Sequence, residues 1–210
     1  MDPTVRKIIR LSSGILAFLI AAVLIGFWSN KLAERTVSTP FPELWNTAFN
    51  LPSTNGQIIS NADLIGSPTA LFFGFTHCPE ICPATLYSLS QMTNSLGSVG
   101  QDIQIVFATV DPERDTISVL KDYINAIDEN AIGLSGTLDQ MTGFARDFGI
   151  YVQKVPLEDD DYTMDHTATV FLYDAEGKIA GTIAWGEPDD YALAKLRSLA
   201  GLDADTNSNT

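Results

Sequence analysis

The chain has 210 residues, 45% of them hydrophobic, and its 26 Asp+Glu against 12 Lys+Arg give a net charge of −14. Such a surplus of carboxylates argues against nucleic acid as a partner, because a phosphate backbone is gripped by Lys and Arg; it favours solubility and attraction to cations or basic surfaces. With two cysteines and two histidines in all, any thiol or imidazole chemistry rests on very few side chains.

In chain order, Arg6, Lys7 and Arg10 precede an uncharged, apolar run over residues 11–28. Its length lies near the lower end of the roughly 17–25 residues that span a bilayer as a helix. No small-residue cleavage signal follows, so the run predicts an uncleaved signal anchor. The excess of basic residues before the span predicts a cytoplasmic N-terminus over residues 1–10 and a domain on the far side. Residues 29–44, with Pro40 and Pro42, read as a tether, residues 45–201 as one domain, and residues 202–210 as a polar tail. Five of the basic and two of the acidic residues precede residue 37, so the remainder carries about −17.

Within the domain, the Asn55-Gly56 pair between short apolar stretches predicts a hairpin. Residues 69–75 form a continuous apolar run, as in a strand buried on both faces. A helix is expected over residues 83–96, with Leu86, Leu89 and Leu96 at helical spacing and Gly97 as its stop. A second buried strand is expected over residues 103–110, then a helix capped by Thr116 and a short strand near residues 132–135. Thr137 and Gln140 have capping-box spacing; Met141, Phe144 and Phe148 line one face of the helix they open, and Gly149 closes it. The acidic stretch 158–161 reads as a solvated loop. Two strands flank a turn at residues 174–177, and a last helix runs over residues 188–200. Alternating strands and helices followed by a hairpin and a helix define an α/β fold, with parallel strands joined by right-handed crossovers and an antiparallel edge. The expectation is a thioredoxin-like fold with an N-terminal hairpin extension, preceded by one transmembrane helix.

Both cysteines fall in "GFTHCPEICPATL", where the first apolar strand gives way to a helix. Three uses compete: a structural disulfide, a redox pair, or two legs of a metal site. A bridge closing so short a loop removes little entropy from the unfolded chain, which weakens the first. Pro83 suits a first helical turn, so Cys82 is expected about at the N-cap and Cys78 in the loop before it. There the helix N-terminus stabilises a thiolate and lowers its pKa, and a thiolate serves equally as nucleophile and as soft metal ligand. His77, beside Cys78, reads as a loop residue. His166 lies before a strand, with Asp165 beside it, and is the candidate third ligand. Two thiolates and one imidazole suit copper as Cu(I) or Cu(II), whereas structural zinc wants a fourth ligand and catalytic zinc, which stays open, lacks a general base in view. A peroxide-reducing thiol is disfavoured: Thr76 is near, but no basic residue flanks the pair.

Three blocks, "FFGFTHCPEICPATL", "VDPERDT" and "YTMDHTATVFLYDAEG", together resemble the motifs of the SCO (SenC) family, and the resemblance covers about residues 45–200 and the anchor. It implies a membrane-anchored, thioredoxin-fold copper protein that helps assemble the dinuclear copper centre of cytochrome c oxidase subunit II. By position it makes Cys78 and Cys82 copper ligands and redox partners, and His166 the third ligand. Asp111, Arg114 and Asp115 match the middle block, where the residues themselves suggest turn stabilisation and ion pairing. Met164 and Ala175 depart from the family's usual valine and proline without touching a ligand. The implied role is a copper chaperone loaded by an upstream periplasmic donor and delivering to subunit II; the alternative is a thiol–disulfide oxidoreductase that reduces the acceptor's cysteines. The absence of further cysteines suits an oxidising space. A bacterial inner membrane with the domain in the periplasm is expected, and a mitochondrial inner membrane facing the intermembrane space is the alternative.

Overall fold

The computed structural model describes residues 41–202. The expected cytoplasmic terminus, the anchor over residues 11–28 and the tether up to residue 40 lie outside the described residues, as does the tail from residue 203. Among the described residues no helix is long and apolar enough to cross a membrane.

Strand β3 (Thr69–Gly74) is buried along its whole length, as its unbroken apolar sequence requires of a central strand covered on both faces. It pairs in parallel with β4 (Gln104–Thr109), from Thr69↔Gln104 to Gly74↔Thr109, and β4 pairs in parallel with β5 (Ile132–Leu134). On its other side β3 meets β8 (Thr169–Tyr173) antiparallel, and β8 meets β9 (Ile179–Ala184) antiparallel. The sheet order is therefore β5-β4-β3-β8-β9, the mixed α/β arrangement expected. Single helical turns, α1 (Asn61–Leu64) and α3 (Ser98–Gln101), accompany four longer helices: α2 (Ile81–Ser95), α4 (Ile117–Asn125), α5 (Leu138–Asp147) and α6 (Asp189–Leu199).

Because successive strand side chains point to opposite faces, Phe72 and Phe73 serve different layers. Phe72 packs edge-on to Phe107, which meets Tyr123 of α4, while Phe73 meets Phe144 and Phe148 of α5. Each such buried ring contributes roughly 1.5–3 kcal/mol. The expected caps are present: Thr116 accepts from Val119 N–H, and Thr137 and Gln140 form a reciprocal capping box. The expected N-terminal hairpin is β1 (Asn50–Pro52) and β2 (Ile58–Ser60), turned at Gly56 with φ of +85°. It covers the β5 edge, Thr54 donating to the Gly133 carbonyl at 2.9 Å and Ser135 to that of Pro52 at 3.1 Å. An edge strand otherwise open to pairing is thereby closed.

Three features differ from the sequence reading. Residues 41–44, read there as the end of the tether, are held by the domain: Leu44 is fully buried and donates to the Gly177 carbonyl at 2.9 Å, and the Phe41 ring lies edge-on to Phe171. Helix α2 begins at Ile81, two residues before Pro83; proline is tolerated throughout a first turn, whose N–H groups have no helical partner. A second hairpin, β6 (Val152–Pro156) and β7 (Tyr162–His166), stands outside the main sheet where only a loop was expected. The acidic stretch 158–161 forms its turn, with Asp159 and Asp160 at positive φ.

Candidate metal centre

The chain leaves β3 at Gly74, whose place admits no side chain: a Cβ there meets Phe107 Cζ at 2.8 Å and Cys82 Sγ at 3.0 Å. This close approach lets the first turn of α2 settle on the sheet and buries Cys82 completely. Cys78 sits half-buried in the preceding loop, donating its N–H to the Phe75 carbonyl at 3.2 Å. Its sulfur accepts the N–H of Cys82 at 3.4 Å, one of the unpaired donors of the helix N-terminus. Both thiols are free.

His166 closes β7 opposite Val152. Its Nδ1 lies 3.0 Å from the Thr167 carbonyl. A carbonyl only accepts, so Nδ1 carries the hydrogen and Nε2 keeps a lone pair. That Nε2 lies 3.8 Å from Cys82 Sγ, across 84 residues of sequence, and the ring stands edge-on to Phe75. At that separation a soft thiolate and an imidazole lone pair could both reach one ion placed between them. Cys82 and His166 are thus the converged pair. No group of three His, Cys, Asp or Glu among the described residues is already gathered around one point.

Burial governs the protons. It pushes the Cys82 thiol well above the ordinary thiol range, with a backbone hydrogen bond from Phe75 opposing and the Cys78 sulfur adding to the rise. The expectation that the helix N-terminus lowers the thiol pKa is overturned for Cys82, since it lies inside the first turn and desolvation outweighs the dipole. Burial likewise lowers His166 below its usual value, against the opposing pull of the Thr167 carbonyl and Asp165.

The middle motif fastens together the segments that carry these donors. Asp115, fully buried, accepts from Thr76 N–H at 3.0 Å, Thr76 Oγ1 at 2.6 Å and Thr109 Oγ1 at 2.6 Å, which pins the start of the cysteine loop to the end of β4. Arg114 Nε donates to Asp111 Oδ2 at 2.5 Å, and its Nη1 donates to the Tyr162 carbonyl at 2.9 Å. Tyr162 returns its hydroxyl to Asp111 Oδ1 at 2.9 Å, and the guanidinium stacks 3.7 Å over its ring. The hairpin bearing His166 is therefore held by the same turn, residues 111–115. The other candidates stand apart: His77 turns its Nδ1 to Thr76 Oγ1 at 3.1 Å, Asp165 is exposed on the opposite face of β7 from His166, and Met164 packs against the core. Ala175 accepts a turn hydrogen bond from Gly66. Sequence reasoning missed Tyr123. Its hydroxyl is buried with no hydrogen-bond partner among the described residues, and burial together with the two thiols raises its pKa; nothing in its helical spacing sets it apart from a core residue.

A strand-to-helix corner carrying a thiol pair on this sheet defines a thioredoxin-like protein, here with an imidazole brought to the buried sulfur. The SCO1/SenC family model matches residues 37–201, and the chain belongs to that family. It is 39% identical over 132 residues to the "SCO2-like protein" of Rickettsia felis, a match covering 62% of this chain and 64% of that one; it thus spans under two thirds of that relative. Among solved structures it is similar to Bradyrhizobium japonicum ScoI with copper bound (TM-score 0.67, 35% identity, 73% of this chain and 98% of that one). Arabidopsis thaliana ScoI with copper bound is also similar (TM-score 0.66, 32% identity, 72% and 98%).

Proposed function

We propose that this protein binds copper through Cys78, Cys82 and His166 and passes it to the dinuclear copper site of cytochrome c oxidase subunit II. The observation that carries the reading is the 3.8 Å approach of His166 Nε2 to Cys82 Sγ, with a second thiol four residues away. Thiolates are soft donors that favour Cu(I), and imidazole suits both oxidation states. Cys78, half-exposed, is the donor free to turn toward the ion and away from it. Transfer is ligand exchange: each copper–thiolate bond given up is matched by one formed to an acceptor donor atom, the acceptor thiol's proton passes to the released cysteine, and no electron moves. An anchor over residues 11–28 in a bacterial inner membrane, with the domain in the periplasm, would hold it at the surface where its acceptor matures and raise the effective concentration; the mitochondrial inner membrane is the alternative.

A second reading, reduction of the acceptor's cysteines, is supported by the Cys82 N–H on the Cys78 sulfur. Cys78 then attacks an acceptor disulfide as the thiolate, and buried Cys82 resolves the mixed disulfide, so that two electrons leave the pair and a Cys78–Cys82 bridge forms. The readings part at His166, which thiol exchange does not need. In anaerobic titrations with Cu(I), Cu(II) and Zn(II), His166→Ala is expected to weaken copper binding at least tenfold while dithiol–disulfide exchange keeps its rate. Unchanged copper affinity in His166→Ala, with exchange at its full rate, reverses the assignment.

A further inference from the structure

Beside the thiol–imidazole pair, a groove of about 240 Å³ runs between α2 and α6 over the sheet. Val170 and Ile183 lie among its lining, with Leu89 and Met92 from α2. Two of its lining residues are tied to the site by sequence: Ala84 follows Cys82 by two positions on α2, and Ala168 follows His166 by two. The groove is thus bordered by the helix that carries Cys82 and by the start of the strand that follows His166. Its far part continues outward along the same helix seam past Ser88, Met92 and Asp189 toward Leu193.

The surroundings are those of a recognition surface. Trp185 and Tyr87 line it, 49% and 57% exposed, and aromatic residues of this kind carry a large share of binding energy at interfaces. Small residues, Ala84, Ala168, Gly186 and Ala192, leave the space open. The charge is of one sign: Glu187 lines the groove, Asp189 and Asp190 stand exposed in the first turn of α6, and the nearest cation, Lys195, is already spent on Glu187 at 2.6 Å. An apolar trough with a carboxylate rim, in a domain with a strong excess of negative charge, complements an apolar side chain flanked by Lys or Arg.

We infer that this groove seats the polypeptide with which the protein exchanges copper, through a segment presenting an aromatic or aliphatic anchor and neighbouring basic residues next to its own metal-binding thiols. The inference rests on the copper-transfer reading: ligand exchange requires the partner's donor atoms to reach the ion, and a segment seated here lies against the helix that carries Cys82 and the strand that follows His166. It adds where the partner sits and what chemistry selects it.

Trp185 supplies the readout. The probe is a capped twelve-residue peptide with Phe-Leu between lysines followed by two cysteines; its controls replace the lysines by glutamate or the Phe-Leu by serines. Added to the metal-free full-length chain, the probe is expected to blue-shift tryptophan emission saturably, and both controls to bind at least tenfold more weakly. Asp189→Lys with Asp190→Lys, or Tyr87→Ala, is expected to weaken binding roughly tenfold while keeping the Trp185 reporter. The same variants should slow copper transfer to the peptide by a similar factor, yet leave copper affinity and copper removal by a small chelator unchanged. Binding indifferent to these surface changes overturns the inference, as does a concentration-dependent dimer that shifts Trp185 emission without peptide, since the groove would then be filled by a second copy. Loss of copper affinity in the wild-type chain would instead sink the copper reading, with the metal-free binding arm still reporting on the groove.

Discussion

His166 donates its Nδ1–H to the Thr167 carbonyl, and its unprotonated Nε2 faces the Cys82 sulfur. Burial acts on both groups in the direction that disfavours charge, raising the thiol and lowering the imidazole. At neutral pH the imidazole is therefore ready to ligate, while the thiol still holds a proton that an incoming ion must displace. One proton released per ion makes affinity rise about tenfold per pH unit, the 1.36 kcal/mol equivalent of one unit. Competitive Cu(I) titrations between pH 7 and 8.5 should show at least that slope, with His166 contributing none of it because its ring is already neutral; a flat profile contradicts the assignment of Cys82 as a ligand. The lowered His166 also links to stability. The unfolded chain, with a value near 6.5, binds the proton more readily than the folded one. Stability is hence full above that pH and declines as pH falls toward the folded value.

The elements that bring these residues together were unequally legible in the sequence. Strands β3 and β4 announced themselves as unbroken apolar runs, and α4 and α5 by caps that the fold forms as written. The sulfur pair and its partner imidazole could be nominated from residue type alone. The β6–β7 hairpin could not: its strands are half-exposed, carry Gln153, Lys154 and Asp165, and lie off the main sheet, so no continuous apolar run marks them. Nor did the sequence show that Asp111, Arg114 and Asp115 tie two distant segments, since hydrogen bonds spanning 39 to 51 residues leave no periodic trace. The tie has consequences that can be measured. Arg114→Ala removes the bond to the Tyr162 carbonyl and the stacking on its ring, at a cost of about 1–3 kcal/mol for a charge-assisted contact. Hydrogen exchange over residues 152–166 should accelerate while residues 69–74 and 104–109 stay protected, and the copper Kd should rise roughly tenfold as the imidazole loses its fixed position. Uniform loss of protection would mean that the turn supports the whole domain and not the hairpin.

Across the whole molecule the excess of negative charge is left standing: Arg114, Arg146, Lys154 and Lys195 are each ion-paired with the domain's own carboxylates, so a cation enters a favourable field. On the ligand set proposed above, a bound ion joins the thiol loop to an imidazole 84 residues away, and binding that favours the folded state stabilises it by mass action. Full stabilisation at a hundredfold excess over Kd is about 2.7 kcal/mol, which for a domain of this size raises Tm by about 5–10 °C. The unfolded chain, however, keeps its two thiols four residues apart and so takes up a soft ion too. Only His166 separates folded from unfolded by its place in space. Calorimetric melts of the full-length chain, metal-free and Cu(I)-loaded under anaerobic conditions, should therefore show a rise below that ceiling in the wild type. In His166→Ala the rise should shrink to a degree or two, because the dithiol left behind binds both states nearly alike, and in Cys82→Ser it should vanish. Equal shifts in wild type and His166→Ala would show that the imbalance between the two states comes from the sulfurs alone, leaving the 3.8 Å approach of the imidazole without a part in holding the ion.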